Sequence, residues 1–66
     1  MNSYKKNIFQ KWPDVVDVGQ LCKMLKIGKH TAYNLLRNNE IYHIKIGRIY
    51  KIPKSSIIKY LLKNKL

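Results

Sequence analysis

A chain of 66 residues makes one domain with a core of marginal size, which leaves little room for an enclosed active site and disfavours an enzyme. Fourteen Lys and Arg stand against three Asp and Glu, a formal net charge of +11. That is far more than solubility requires, and it makes a polyanion, nucleic acid first, the expected partner. No apolar run approaches the roughly 20 residues of a membrane span, and the N-terminus lacks the uninterrupted apolar stretch of a secretory signal. A cytoplasmic, nucleoid-associated location is therefore expected. Cys22 is the single cysteine; it excludes an intrachain disulfide, fits a reducing compartment and reads as a packing residue.

In chain order, Pro13 biases Trp12 away from helix and separates an N-terminal arm, residues 1–13, from a domain at 14–66. Tyr4, Ile8 and Trp12 recur four apart as on one helical face, although an isolated helix this short is marginal. Phe9 and Trp12 are expected to pack on the domain. Asp17 and Gln20 have the spacing of a capping box, so a first helix is expected from about Val18 to Leu25, with Val18, Leu21, Cys22 and Leu25 facing inward. A tight turn over Leu25 to Gly28 follows. Gly28 serves as N-cap of a second helix that reaches about Arg37 or Asn38, where Asn38-Asn39 signals the stop. Ala32, Leu35 and Leu36 form its inner face, and Ala32 is small where two helices must cross closely. The other side offers Lys29, His30, Tyr33, Asn34 and Arg37, the chemistry a DNA major groove requires.

After Glu40 the apolar period shortens from about 3.6 to 2. Tyr42, Ile44 and Ile46 alternate with His43 and Lys45, Gly47-Arg48 marks a turn, and Tyr50 and Ile52 alternate with Lys51. This is a β-hairpin. A two-residue Gly47-Arg48 loop would pair Ile46 with Ile49, whereas a three-residue loop from Gly47 to Ile49 pairs Ile46 with Tyr50 and gathers Ile44, Ile46, Tyr50 and Ile52 on one face. The three-residue loop is the expectation, with Arg48 and Ile49 at the exposed tip. Pro53 then leads into a last helix from about Lys54 to Lys63, which returns Ile57, Tyr60 and Leu61 to the core. Ile58 and Leu62 lie on an adjoining strip, more apolar surface than a small core needs. The fold class is thus α+β: a winged helix-turn-helix with two short helices, a two-stranded wing and a C-terminal helix.

This order of elements resembles the small winged helix-turn-helix proteins of the excisionase family, related in fold to MerR-type DNA-binding domains. The matching residues extend over about Val15 to Leu62: Val16-Asp-Val-Gly-Gln-Leu, Leu25-Lys-Ile-Gly-Lys-His-Thr-Ala-Tyr-Asn-Leu-Leu-Arg, Ile41, Ile46-Gly-Arg-Ile-Tyr-Lys-Ile-Pro and Ile57-Ile-Lys-Tyr-Leu. The resemblance implies that the second helix enters the major groove and that the wing follows the backbone or an adjacent minor groove. Carried over by position, it puts Lys29, His30, Thr31, Tyr33, Asn34 and Arg37 in or beside the groove, with Lys45, Arg48 and Lys51 on the wing. Two positions depart from the family pattern. Gly28 stands where Ser is common, and Ile49 and Lys51 stand in a strand that commonly carries more Arg.

Among these residues Asn34 is the expected base reader, because its amide pairs with adenine. Arg37 either reads guanine or grips phosphate, and phosphate is favoured because recognition helices present their N-terminal residues to base edges. Lys29 contacts backbone, His30 takes either role, and Tyr33 stacks on a sugar or touches a thymine methyl. Arg48 at a protruding tip suits a narrow minor groove. His30 and His43 lack the ligand spacing of a metal site, and three acids supply no catalytic set, so no metal, cofactor or catalytic residue is expected. The function this implies is that of an excisionase, a recombination directionality factor. It would bind double-stranded DNA at sites near the ends of a mobile element and bend it, assisting a tyrosine-type integrase, with further copies of itself alongside. The arm or the Ile58/Leu62 strip would supply protein contacts. A small transcriptional regulator using the same domain is the alternative, and an RNA-binding or membrane-surface cationic protein is a third reading.

Overall fold

The computed structural model describes residues 9–64. Its elements are β1 (Val15–Val16), α1 (Val18–Leu25), α2 (Lys29–Arg37), β2 (Ile44–Ile46), β3 (Ile49–Pro53) and α3 (Lys54–Lys63). The helices fall where their capping chemistry and apolar spacing put them. Asp17 starts α1 by accepting the Gln20 N–H at 2.7 Å, and the Gln20 side chain accepts the Asp17 N–H at 3.0 Å. Two of the orphan donors at the helix start are thereby satisfied reciprocally. Lys26 ends α1 in the left-handed region, φ 58° and ψ 49°. That conformation usually falls to Gly, and here a lysine adopts it two residues before Gly28.

Gly28 caps α2 through backbone alone, with an ordinary φ of −80° and nothing within 4 Å of where a Cβ would stand. No steric demand therefore selects glycine at this position. Ala32 is fully buried where α1 and α2 cross, and Leu36 lies behind it. Val16, Leu21, Met24, Ile41, Ile52 and Ile57 complete the buried core. Phe9, Trp12, Val18, Cys22, Leu25, Leu35 and Tyr60 pack partly against it. Trp12 is also held by its carbonyl, which accepts Lys54 Nζ at 3.0 Å. Tyr4 and Ile8, the other members of the arm's four-residue spacing, lie outside the described residues.

The two-stranded wing is as expected, but the sheet gains a strand and its hairpin register differs. It has three strands, in the order β1-β3-β2, because Val15 and Val16 pair antiparallel with Pro53 and Ile52. The hairpin register is also the other one: Ile46 opposes Ile49, Lys45 opposes Tyr50 and Ile44 opposes Lys51 across a two-residue Gly47-Arg48 turn. Gly47 takes φ 61°, while Arg48 is outside the positive-φ region. Glycine first in a two-residue loop is the type II′ arrangement, whose twist matches that of the strands. Turn chemistry thus outweighs the tendency to gather apolar residues. Tyr50 and Ile52 face inward as expected, but Ile44 and Ile46 face outward with Ile49, which lies in the strand rather than at the tip.

The last helix also differs in detail. Ile57 is fully buried, whereas Leu61, Ile58 and Leu62 are all half-buried. The exposed large apolar side chains among the described residues are Val15, Tyr42, Ile44, Ile46 and Ile49. The free apolar surface among the described residues therefore lies on the sheet and at Tyr42 just before β2, not on an Ile58/Leu62 strip.

Truncating the central core residue, Ile52→Ala, should lower stability by about 2–5 kcal/mol, read as a lower urea midpoint at unchanged slope. Gly47→Ala places a Cβ in open space, so its cost is conformational only. It should be about 1–2 kcal/mol in the same assay.

Candidate nucleic-acid interface

Helix α2 projects one side away from the core because Ala32 and Leu36 anchor the other. Lys29, His30, Thr31 and Arg37 are exposed, and Tyr33 and Asn34 are half-buried at the margin. Asn34 sits at the centre of a side-chain chain along the helix. Arg37 Nη2 donates to Asn34 Oδ1 at 3.0 Å, and Asn34 Nδ2 lies 3.4 Å from His30 Nε2. The second contact requires the His30 tautomer protonated on Nδ1, so that Nε2 accepts. The amide is thereby oriented before any ligand arrives, its carbonyl toward the C-terminal end of α2 and its NH2 toward the N-terminal end.

Tyr50 joins the wing to this helix. Its ring meets Tyr33 edge-on at 5.7 Å and His43 at 5.2 Å, and Lys45 Nζ stands 5.1 Å from its centroid. Edge-on aromatic pairs and a cation over a tyrosine face are each favourable by about 0.5–1.5 kcal/mol. His43 is itself fixed, since its Nδ1–H donates to the Ile41 carbonyl at 2.9 Å. These contacts tie the inner face of the wing to the margin of α2 at Tyr33 and hold Lys45 over Tyr50.

The expected site residues separate into three placements. Lys29, His30, Thr31, Tyr33, Asn34 and Arg37 share α2, Lys45 joins them across Tyr50, and Arg48 stands exposed in the turn. Lys51 does not join them, because its pairing with Ile44 puts it on the outer face of the sheet. Tyr50 and His43 were not among the expected site residues. Their only sequence signal is an aromatic and a histidine in strand alternation, which by itself reads as ordinary strand composition. Neither Lys29–Arg37 nor Tyr42–Ile52 contains an acidic residue. Asp17 is occupied in capping α1, and Asp14 Oδ1 lies 3.8 Å from Lys54 Nζ. Glu40, the third acid, lies exposed between α2 and the wing and makes no ion pair among the described residues. The cations of α2 and the wing thus outnumber it, with hydrogen-bonding groups at their centre.

Among the described residues no helix is long and apolar enough to cross a membrane. No curated protein and no solved structure matches the chain. A family model described as a helix-turn-helix domain matches residues 15–65, well over half of the sequence and the whole span from β1 through α3. The chain therefore belongs to the helix-turn-helix family of DNA-binding domains.

Proposed function

We propose that this protein is an excisionase-type accessory factor. It binds specific duplex DNA near the ends of a mobile element, bends it, and so assists an integrase in excision. One observation carries the DNA-contact half of this reading: a polar, cationic face of α2 coupled through Tyr33 and Tyr50 to a basic wing. In this reading α2 lies in the major groove. Asn34 reads adenine, Arg37 grips phosphate while orienting Asn34, and Lys29 neutralises phosphate at the helix start. His30, Thr31 and Tyr33 line the groove. Lys45 and Arg48 follow the backbone or enter the adjacent minor groove, and Lys51 reaches phosphate only from the wing's far side. The uncapped start of α2 at Gly28 leaves backbone N–H groups free to approach a phosphate.

The recombination half rests on the resemblance to excisionases over Val15 to Leu62. Genome-wide mapping of bound sites tests it. Occupancy at the ends of an integrated element, with excision lost in a deletion strain, is the expected result. Occupancy confined to promoters, with excision unaffected, would make the protein a transcriptional regulator instead.

Two binding measurements follow from the assigned roles. If about five phosphates are neutralised, the slope of log K against log salt should be about −4.5, and Lys29→Ala should flatten it by about one while weakening all duplexes alike. Asn34→Ala should cost about 1–3 kcal/mol on the cognate site and little on random duplex. Equal losses on both would remove Asn34 as a reader.

A further inference from the structure

The outer face of the sheet, which the DNA reading uses only through Lys51, carries four of the large apolar side chains exposed among the described residues, Val15, Ile44, Ile46 and Ile49, and Tyr42 lies just before β2. Val15 is 51% exposed, Tyr42 65%, Ile44 49%, Ile46 61% and Ile49 57%. Strand alternation groups Ile44, Ile46 and Ile49, since Ile46 opposes Ile49 and Ile44 lies two residues from Ile46; Lys51 opposes Ile44 on the same face and separates this group from Val15 in β1. Scattered exposed apolar residues need no explanation, but a contiguous set on one face marks an interaction surface. Among the described residues the face adjoins an open sheet edge, because β2 is terminal in the order β1-β3-β2. In a two-residue hairpin the pair flanking the turn exchanges both hydrogen bonds, and the next pair exchanges none. Lys45 therefore turns its N–H and C=O toward the free edge, while its side chain lies on the inner face near Tyr50.

We propose that the β2 edge and the outer face together receive an extended segment of a partner protein, added as a fourth strand, in which apolar and acidic residues alternate. The register of the edge dictates this chemistry. A strand paired to β2 has one set of side chains continuing the Ile44 and Ile46 row, where apolar groups are buried, and the alternate set beside Lys45, where a carboxylate finds a cation. Charge also selects the occupant. A second copy brings another +11 and only three acids of its own, so like charges would meet across the edge. A lysine in the middle of an edge strand is a common guard against such self-pairing. An acidic segment is attracted by the same lysine. This inference does not rest on the excision reading; it uses the outer face and the β2 edge, and shares Lys45 with the proposed DNA surface.

The test uses the full chain and a fluorescein-labelled nine-residue peptide alternating Val and Glu, read by anisotropy. The expected result is saturable binding, weakened at least tenfold when Gln replaces Glu or when the same residues are blocked as a Val run followed by a Glu run. Ile44→Thr with Ile46→Thr keeps β-branching and strand propensity. It should reduce peptide binding at least tenfold while leaving duplex affinity within twofold. Independently of any variant, the Lys45 amide should exchange quickly in the free chain and become protected when the peptide is added. Equal binding by the blocked peptide, or an unprotected Lys45 amide at saturation, would overturn the proposal. A dimer in sedimentation that the double variant abolishes would assign the face to a second copy. Loss of duplex binding in that variant would assign it to DNA.

Discussion

Strand β3 is the constraint on which the rest of the structure depends. It pairs with β1 on one side and β2 on the other and packs against α1 and α3, and Ile52 within it has no contact with solvent. A strand alternates faces with period 2, so burying Ile52 leaves no freedom at its neighbours. Tyr50 must face inward with it, and Ile49 and Lys51 must face outward. The core thus decides which side of the wing meets α2. A change at Ile52 would act both on stability and on the position of Lys45.

Tyr50 converts that constraint into geometry at the proposed DNA-facing surface. Its ring touches side chains from α2 and β2 and the histidine between them, so the hairpin is braced and does not merely extend into solvent. The bracing matters because most of the cations here are lysines, whose flexible stems lose entropy when fixed in one contact. Arg37 is spared part of that loss by its hydrogen bond to Asn34, which also aims the amide. In the proposed role, preorganisation at Asn34 serves base reading, and the surrounding lysines supply sequence-independent attraction.

Much of this was legible from residue order. The capping box at Asp17 and Gln20, the small Ala32 at the helix crossing and the Pro53 entry to α3 each express local chemistry, and local chemistry survives folding unchanged. The hairpin register was not legible, because two local rules conflicted. Gathering Ile44 and Ile46 with Tyr50 favoured a longer loop, and a glycine at the first turn position favoured a two-residue one. The turn prevailed, since a surface wing loses little by exposing isoleucines that the core has no room to bury. Strand β1 escaped notice because two residues carry no period, and its pairing with β3 is a long-range event. Lys26 in the left-handed region had no sequence signal, since the glycine that usually marks such a cap stands two residues later. At the site, the exposed face of α2 was readable from periodicity. Moving Lys51 to the far side of the wing required the register.

The central claim is that the exposed face of α2, with the inner face and tip of the wing, is the surface that meets duplex DNA. Amide chemical-shift mapping of the isotopically labelled chain during titration with a duplex at low salt tests it most directly. The account predicts that the largest changes fall within Lys29–Arg37 and around Lys45 and Arg48, with the amides of α3 nearly unmoved. Largest changes along α3, with Lys29–Arg37 unperturbed, would contradict it.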